Sequence, residues 1–202
     1  MPLWLTAAPL ILASASRARQ SVLAAAGIPI EAQAAAIDER AAEAKSPTQE
    51  PGAVATLLAR EKASWVERHH PGRLILGADQ TLALGARRFA KPADRAAARE
   101  QLRALSGRTH ELYSAIVFLQ NGTTLCEHVG VARLTMRAFS DRFLELYLDA
   151  AGAAALESVG GYQIEGLGSQ LFERVEGDYF TILGLPLMAT LHFLRQHGYL
   201  LP

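Results

Sequence analysis

The chain has 202 residues, half of them hydrophobic, with 20 basic and 20 acidic side chains and a formal net charge of zero. That length suits one sizeable α/β domain or two small lobes. Balanced charge argues against broad nucleic-acid binding, which needs a basic surface, and no segment approaches a clean membrane-spanning length.

The single cysteine, Cys126, excludes an internal disulfide and fits a reducing cytoplasm. It lies in a strand-like stretch and reads as a small packing residue. The apolar N-terminus carries no basic residue before its apolar run and contains Pro9, so it reads as a first core strand rather than a signal sequence.

In chain order, Leu10-Ile11-Leu12-Ala13 predicts a buried strand. Ser14 to Arg19 follows as a hydroxyl-rich turn, with Ser16 as helix N-cap, Val22, Leu23 and Ala26 at helical spacing and Gly27 at the stop. Ile28 to Ile30 predicts a short strand, and Asp38 to Pro51 a polar connection. Gly52 to Arg68 predicts a helix with Val54, Leu57, Leu58, Trp65 and Val66 on one side. Leu74 to Ala78 predicts a buried strand with Asp79 at its carboxyl end.

Thr81 to Lys91 reads as strand, turn near Gly85 and return. Asp94 caps a helix to Leu105, closed by Ser106-Gly107. Leu112 to Leu119 and Thr123 to Arg137 flank Asn121-Gly122, a strong hairpin signal. Ser140 caps a helix to Ala151, a glycine-rich segment runs from Gly160 to Gly168, and Leu171 to Val175 predicts a strand. Gly184-Leu185-Pro186 opens the last helix. The expected class is α/β, with a mixed, twisted sheet flanked by helices.

The Ser14–Arg19 turn and Asp79 both fall at strand ends, where such sheets bind ligands. Serine hydroxyls, backbone N–H groups and a helix start favour an anion, and arginine matches phosphate oxygens with its fork of donors. The turn lacks the glycines and Lys-Ser/Thr of a Walker loop. On residues alone it reads equally as a capped helix with two solvated arginines. Lys62 alone reads as a side chain lying over apolar surface. Asp79 alone could cap a turn, Glu39 alone is an ordinary solvated carboxylate, and Lys91-Pro92 alone is a loop. His110 reads as a satisfied core histidine and His69-His70 as surface.

Taken together the motifs resemble the Maf family of nucleotide pyrophosphatases over nearly the whole chain. The resemblance rests on Leu12-Ala13-Ser14-x-Ser16-x-x-Arg19, Asp38-Glu39, Glu61-Lys62-Ala63, Gly77-Ala78-Asp79 and Lys91-Pro92. It continues through Leu105-Ser106-Gly107-x-x-His110, Gly161-Tyr162-x-Ile164-x-Gly166-x-Gly168 and Gly184-Leu185-Pro186-Leu187.

The resemblance implies a cytoplasmic enzyme, as a homodimer, hydrolysing a nucleoside triphosphate to monophosphate and pyrophosphate. It implies two lobes around a central cleft and a divalent cation, Mg2+, Mn2+ or Co2+. Asp79 matches the catalytic proton acceptor, and Glu39 with Asp79 would face the metal. Ser14, Ser16, Arg19, Lys62 and Lys91 would hold phosphate. Gln80 and Glu165 match the branch acting on 7-methyl-GTP. A carboxylate can accept from the N1–H and 2-amino group of guanine. Ala18 departs from both branches: the 7-methyl-GTP branch tends to place tryptophan there and the dTTP/UTP branch arginine. The readings kept beside the first are a dTTP/UTP-type pyrophosphatase and a non-catalytic nucleotide-binding regulator of cell division. Neither nucleic acid nor membrane is an expected partner.

Overall fold

The computed structural model describes residues 3–44 and 46–202. The start of the apolar N-terminal run, Met1 and Pro2, and Lys45 of the polar connection lie outside the described residues.

The elements follow the predicted order: β1 (Leu10–Ala13), α1 (Arg17–Ala25), β2 (Ile30–Ala32), α2 (Glu39–Ala44), α3 (Pro51–Glu67), β3 (Ile75–Leu84), β4 (Arg87–Phe89) and α4 (Arg95–Leu105). Then come β5 (Thr109–Gln120), β6 (Thr123–Met136), α5 (Asp141–Ala151), α6 (Ala154–Glu157), two 3-10 turns, β7 (Phe172–Glu176), α7 (Tyr179–Ile182) and α8 (Leu187–Gln196). The sheet is mixed, as expected. Its order is β2-β1-β3-β5-β6-β7, with β4 paired to β3. β1 runs parallel to β2 and β3, whereas β3–β4 and β6–β7 are antiparallel. Among the described residues no helix is long and apolar enough to cross a membrane.

Local chemistry explains the boundaries. Ser16, Asp94 and Ser140 each accept a backbone N–H of the first helical turn. Asn121 and Gly122 have φ of 52° and 72°, the left-handed pair that a two-residue hairpin turn requires. Several segments differ from the expectation, among them α6 and α7, for which no helix was expected, and the following two. The strand expected at Ile28–Ile30 begins at Ile30, because the Ile28 N–H is bonded back to Leu23 O at 3.0 Å in the turn that closes α1. The polar connection contains α2, capped by Asp38 Oδ1 accepting from Ala41 N at 3.0 Å.

The chain divides into two compact units: residues 3–44, 46–80, 113–130 and 178–202 form the first, residues 81–112 and 131–177 the second. In the first unit, strand alternation sorts the side chains. Leu10, Leu12, Leu74, Leu76, Ala78, Ile116 and Phe118 join one core with Val22 and Leu23 of α1 and Phe193 and Leu194 of α8. Ile11, Ala13 and Ile75 point the other way, onto Ala63 and Val66 of α3.

The second face is closely packed at one point. A Cβ at Gly77 would run into the carbonyl oxygen of Ala59 and the Cβ of Ala63. Glycine on β3 and alanines on α3 therefore let helix and strand approach at that level. Two residues further along β3, on the same face, stands Asp79. It does not end the strand, as Leu84 does. It does stand just past the parallel ladder to β1, whose last pair is Ala13–Gly77. The carboxylate therefore lies beside the carboxyl end of β1 while its own strand continues to pair with β4.

Candidate active site

Three side chains of the first unit, Lys62, Arg19 and Glu39, gather around Asp79. Lys62, one residue before the close contact at Ala63, directs Nζ to Asp79 Oδ1. The same Nζ lies 2.8 Å from Oε1 of Glu39, the first residue of α2. The Lys62 and Asp79 side chains are only 13% and 10% exposed, that of Glu39 52%. A lysine that could have lain over apolar surface thus bridges two carboxylates.

Arg19 is buried at 9% exposure and works as a clamp. Nε donates to Gly184 O at 2.8 Å, and Nη1 donates to Ala78 O at 2.8 Å and to Ser14 Oγ at 3.0 Å. These three bonds tie α1 to β3 and to the segment before α8, and they leave the Nη2 hydrogens uncommitted. The left-handed φ of Gly184, +89°, turns its carbonyl to the guanidinium. Ser14 Oγ also accepts from Ser16 N at 3.3 Å, and Ser16 Oγ accepts from Arg19 N at 3.4 Å. Both serine oxygens are acceptors in these bonds, so each hydroxyl keeps its own hydrogen for a ligand. Ala18 is half-buried beside them and presents a methyl group.

Burial raises the pKa of Asp79 above its usual value, against the opposing pull of Lys62 and Arg19. A carboxylate so placed is more basic than one in water, which suits a proton acceptor. Burial pushes Arg19 the other way, with Asp79 and Glu39 opposing. Lys62 takes Oδ1, so Oδ2 is the oxygen open to a proton.

Gln80 follows Asp79 but faces away from it, as strand alternation demands. The two hydrogens of its Nε2 face three acceptors, Ser114 Oγ at 2.9 Å, Thr181 O at 3.1 Å and Ile182 O at 3.0 Å, so one hydrogen is shared. Ser114 Oγ donates to the same Thr181 carbonyl at 2.7 Å. The amide therefore fastens α7 to β3. The two backbone carbonyls that receive Arg19 carry no side-chain signal in the sequence, although Ala78 and Gly184 both belong to motifs already quoted.

Lys91 and Glu165 belong to the second unit, where both are exposed, Lys91 between β4 and α4 and Glu165 between the two 3-10 turns. In that unit His110 is fully buried, with Nε2 2.7 Å from Tyr162 Oη, and packs against the Phe172 ring. It is a core histidine. His69 is exposed, whereas His70 is half-buried and paired with Gln33. Cys126 is half-buried against the core shared by α1 and α8.

A divalent cation is tested by the donor set. Among the described residues no group of three or more His, Cys, Asp or Glu side chains gathers. Two carboxylates do converge on one cationic atom, Lys62 Nζ. That set fits a hard cation that keeps waters and takes phosphate oxygens to complete its shell.

A family model described as Maf-like protein matches residues 9–197. Three relatives carry the name nucleoside triphosphate pyrophosphatase. That of Rhodopseudomonas palustris strain HaA2 is 59% identical over 97% of both chains. That of Bradyrhizobium diazoefficiens is 56% identical, again over 97% of both. That of Paramagnetospirillum magneticum is 52% identical over 95% of this chain and all of its own.

Proposed function

This chain belongs to the Maf-like family, and from that premise we propose that it is a nucleoside triphosphate pyrophosphatase. The observation that carries the reading is a buried carboxylate, Asp79, flanked by the ammonium of Lys62 and the guanidinium of Arg19. Relatives of more than half identity over 97% of their length bear the name of that activity.

A triphosphate demands positive charge and donors more than covalent help. Arg19 Nη2, Lys62 and the hydroxyls of Ser14 and Ser16 supply them, and Lys91 would be a further phosphate ligand. Water attacks phosphorus, a P–O bond forms, the α–β anhydride bond breaks and pyrophosphate leaves. Asp79 takes the water's proton at Oδ2. Glu39 and Asp79 would hold the divalent cation, which supplies charge neutralisation on the phosphate oxygens.

For the base, Glu165 favours a 7-methylguanosine-type nucleotide, since a carboxylate accepts from guanine and attracts a cationic ring. The Gln80 amide nitrogen is committed to Ser114 Oγ and to the carbonyls of Thr181 and Ile182, so base choice falls to Glu165. Ala18 offers no stacking surface, which keeps the dTTP/UTP-type substrate as the second reading.

Asp79→Asn tests the activity. Pyrophosphate release falls by about 10²–10⁴-fold, the size of a lost acid–base group. Folding is retained. Because the pKa of Asp79 is raised in the folded chain, this group favours folding below its ordinary value of 3.8 and loses that contribution as pH rises through the folded value. At neutral pH its charge is a cost that the amide removes. Wild-type rates from the Asn variant, measured as pyrophosphate, exclude Asp79 as the proton acceptor. Glu165→Gln tests the base. It lowers the preference for 7-methylguanosine triphosphate over pyrimidine triphosphates by about tenfold, a bidentate contact's worth. An unchanged ranking removes Glu165 from base reading.

A further inference from the structure

The bridge made by Lys62 has a consequence for how the site is filled. Its Nζ is bonded to Asp79 Oδ1 and lies 2.8 Å from Glu39 Oε1, at the point where the two carboxylates converge. The side chain is 13% exposed, so solvent screens it little. A divalent cation held by the same oxygens would have to share that point with an ammonium. Like charges so close repel strongly in a site of low polarity, and the second buried cation, Arg19, adds to the repulsion.

We propose that Lys62 is the resident counter-ion of the cation position, so that a divalent metal enters only together with the triphosphate. This rests on the reading that Asp79 and Glu39 are the metal's carboxylates. In the nucleotide-free chain the ammonium pairs with both carboxylates at once. A triphosphate offers Lys62 new anionic partners and offers the metal further oxygens. Lys62 then moves from carboxylate to phosphate as the metal arrives. The lysine acts twice, first as a placeholder that keeps two acidic groups from repelling each other, then as a phosphate ligand.

The test uses the full chain without nucleotide, titrated with Mn2+ alone, the free ion being counted by its electron paramagnetic resonance signal. The wild-type chain leaves one equivalent of Mn2+ free. Lys62→Met and Lys62→Gln bind it more tightly by on the order of tenfold or more, the effect that one neighbouring charge has on a proton. Lys62→Arg, which keeps the charge, behaves as wild type. Adding Asp79→Asn to Lys62→Met abolishes the gain. Stoichiometric Mn2+ binding by the wild-type chain overturns the proposal without any variant. So does a folded Lys62→Met or Lys62→Gln chain, checked by circular dichroism, whose Mn2+ affinity equals that of wild type.

Pyrophosphate release by the wild-type chain is measured separately. Release together with unchanged Mn2+ affinity in the variants removes the counter-ion role and leaves the enzyme standing. Absence of release with every triphosphate removes the enzyme, and the metal titrations still decide the role of Lys62.

Discussion

Two buried polar clusters in this molecule solve the same problem in opposite ways. Around Asp79, charge is kept out of water and held by opposite charge, with Lys62 and Arg19 beside the carboxylate and carbonyl oxygens around the guanidinium. Around His110, in the other unit, burial is made tolerable by neutrality. The imidazole's pKa falls to about 4, and its partner is a tyrosine hydroxyl whose own pKa burial pushes up. A charged cluster costs desolvation and earns chemistry. A neutral one fixes a packing arrangement and has no charge to offer a substrate.

The contrast breaks most sharply at Arg19. Arg19→Met leaves Asp79 short of one cation and strands the carbonyls of Ala78 and Gly184. The expected loss is about 3–5 kcal/mol, as for other buried charges deprived of a partner. Arg19→Lys restores the charge without the fork and recovers only part of it. Urea unfolding of the three chains at pH 7 measures this. A loss below 1 kcal/mol would make the clamp no stronger than a surface pair.

His110 sharpens the comparison through pH. Its folded value lies near 4 against an ordinary 6.5. Above pH 6.5 both states are neutral, and the group has no effect on the slope. Between 6.5 and about 4 the unfolded chain takes up a proton that the folded chain refuses, so stability falls as the solution is acidified. The loss attributable to this residue reaches about 3 kcal/mol below pH 4. His110→Phe removes that part of the slope, although it costs the bond to Tyr162 at every pH. Unfolding of both chains at pH 7.5 and 4.5 separates the two effects. Equal slopes would mean that His110 titrates normally.

The smallest effect belongs to the exposed ion pairs between α4 and α5. Arg103 donates to Asp141 at 2.7 Å, with both side chains well exposed. A double-mutant cycle to alanine yields under about 0.5 kcal/mol, and added salt reduces it further. A larger coupling would show that charge pairing outside the site also carries stability.

Much of the site was legible in local chemistry. Ser14 and Asp79 follow short apolar runs that read as buried strands, Arg19 sits in the first turn of the helix after Ser14, and caps such as Ser16 and Asp94 act within a few residues of themselves. Helix α2 was missed although Asp38 caps it, because its alanine-rich turn buries none of its residues and so shows no apolar period. Asp79 as the last residue of its strand was also a misreading. The apolar run stops there, yet β3 continues in pairing with β4, and pairing is a property of two segments.

From the sequence alone came the element order, the mixed α/β class, the hairpin and the set of charged side chains worth following. Each follows from periodicity, capping or turn chemistry, which act over a few residues. Tertiary structure alone decided that Lys62 lies between Asp79 and Glu39, that Arg19 spends three donors on Ser14, Ala78 and Gly184, and that Gln80 turns to α7 rather than to its neighbour's carboxylate. Apart from the Arg19–Ser14 bond, these contacts join residues 17 to 165 positions apart, through the close approach of α3 to Gly77 and the left-handed turn at Gly184. Distances of that kind are fixed by how faces pack, and no local pattern of residues encodes them.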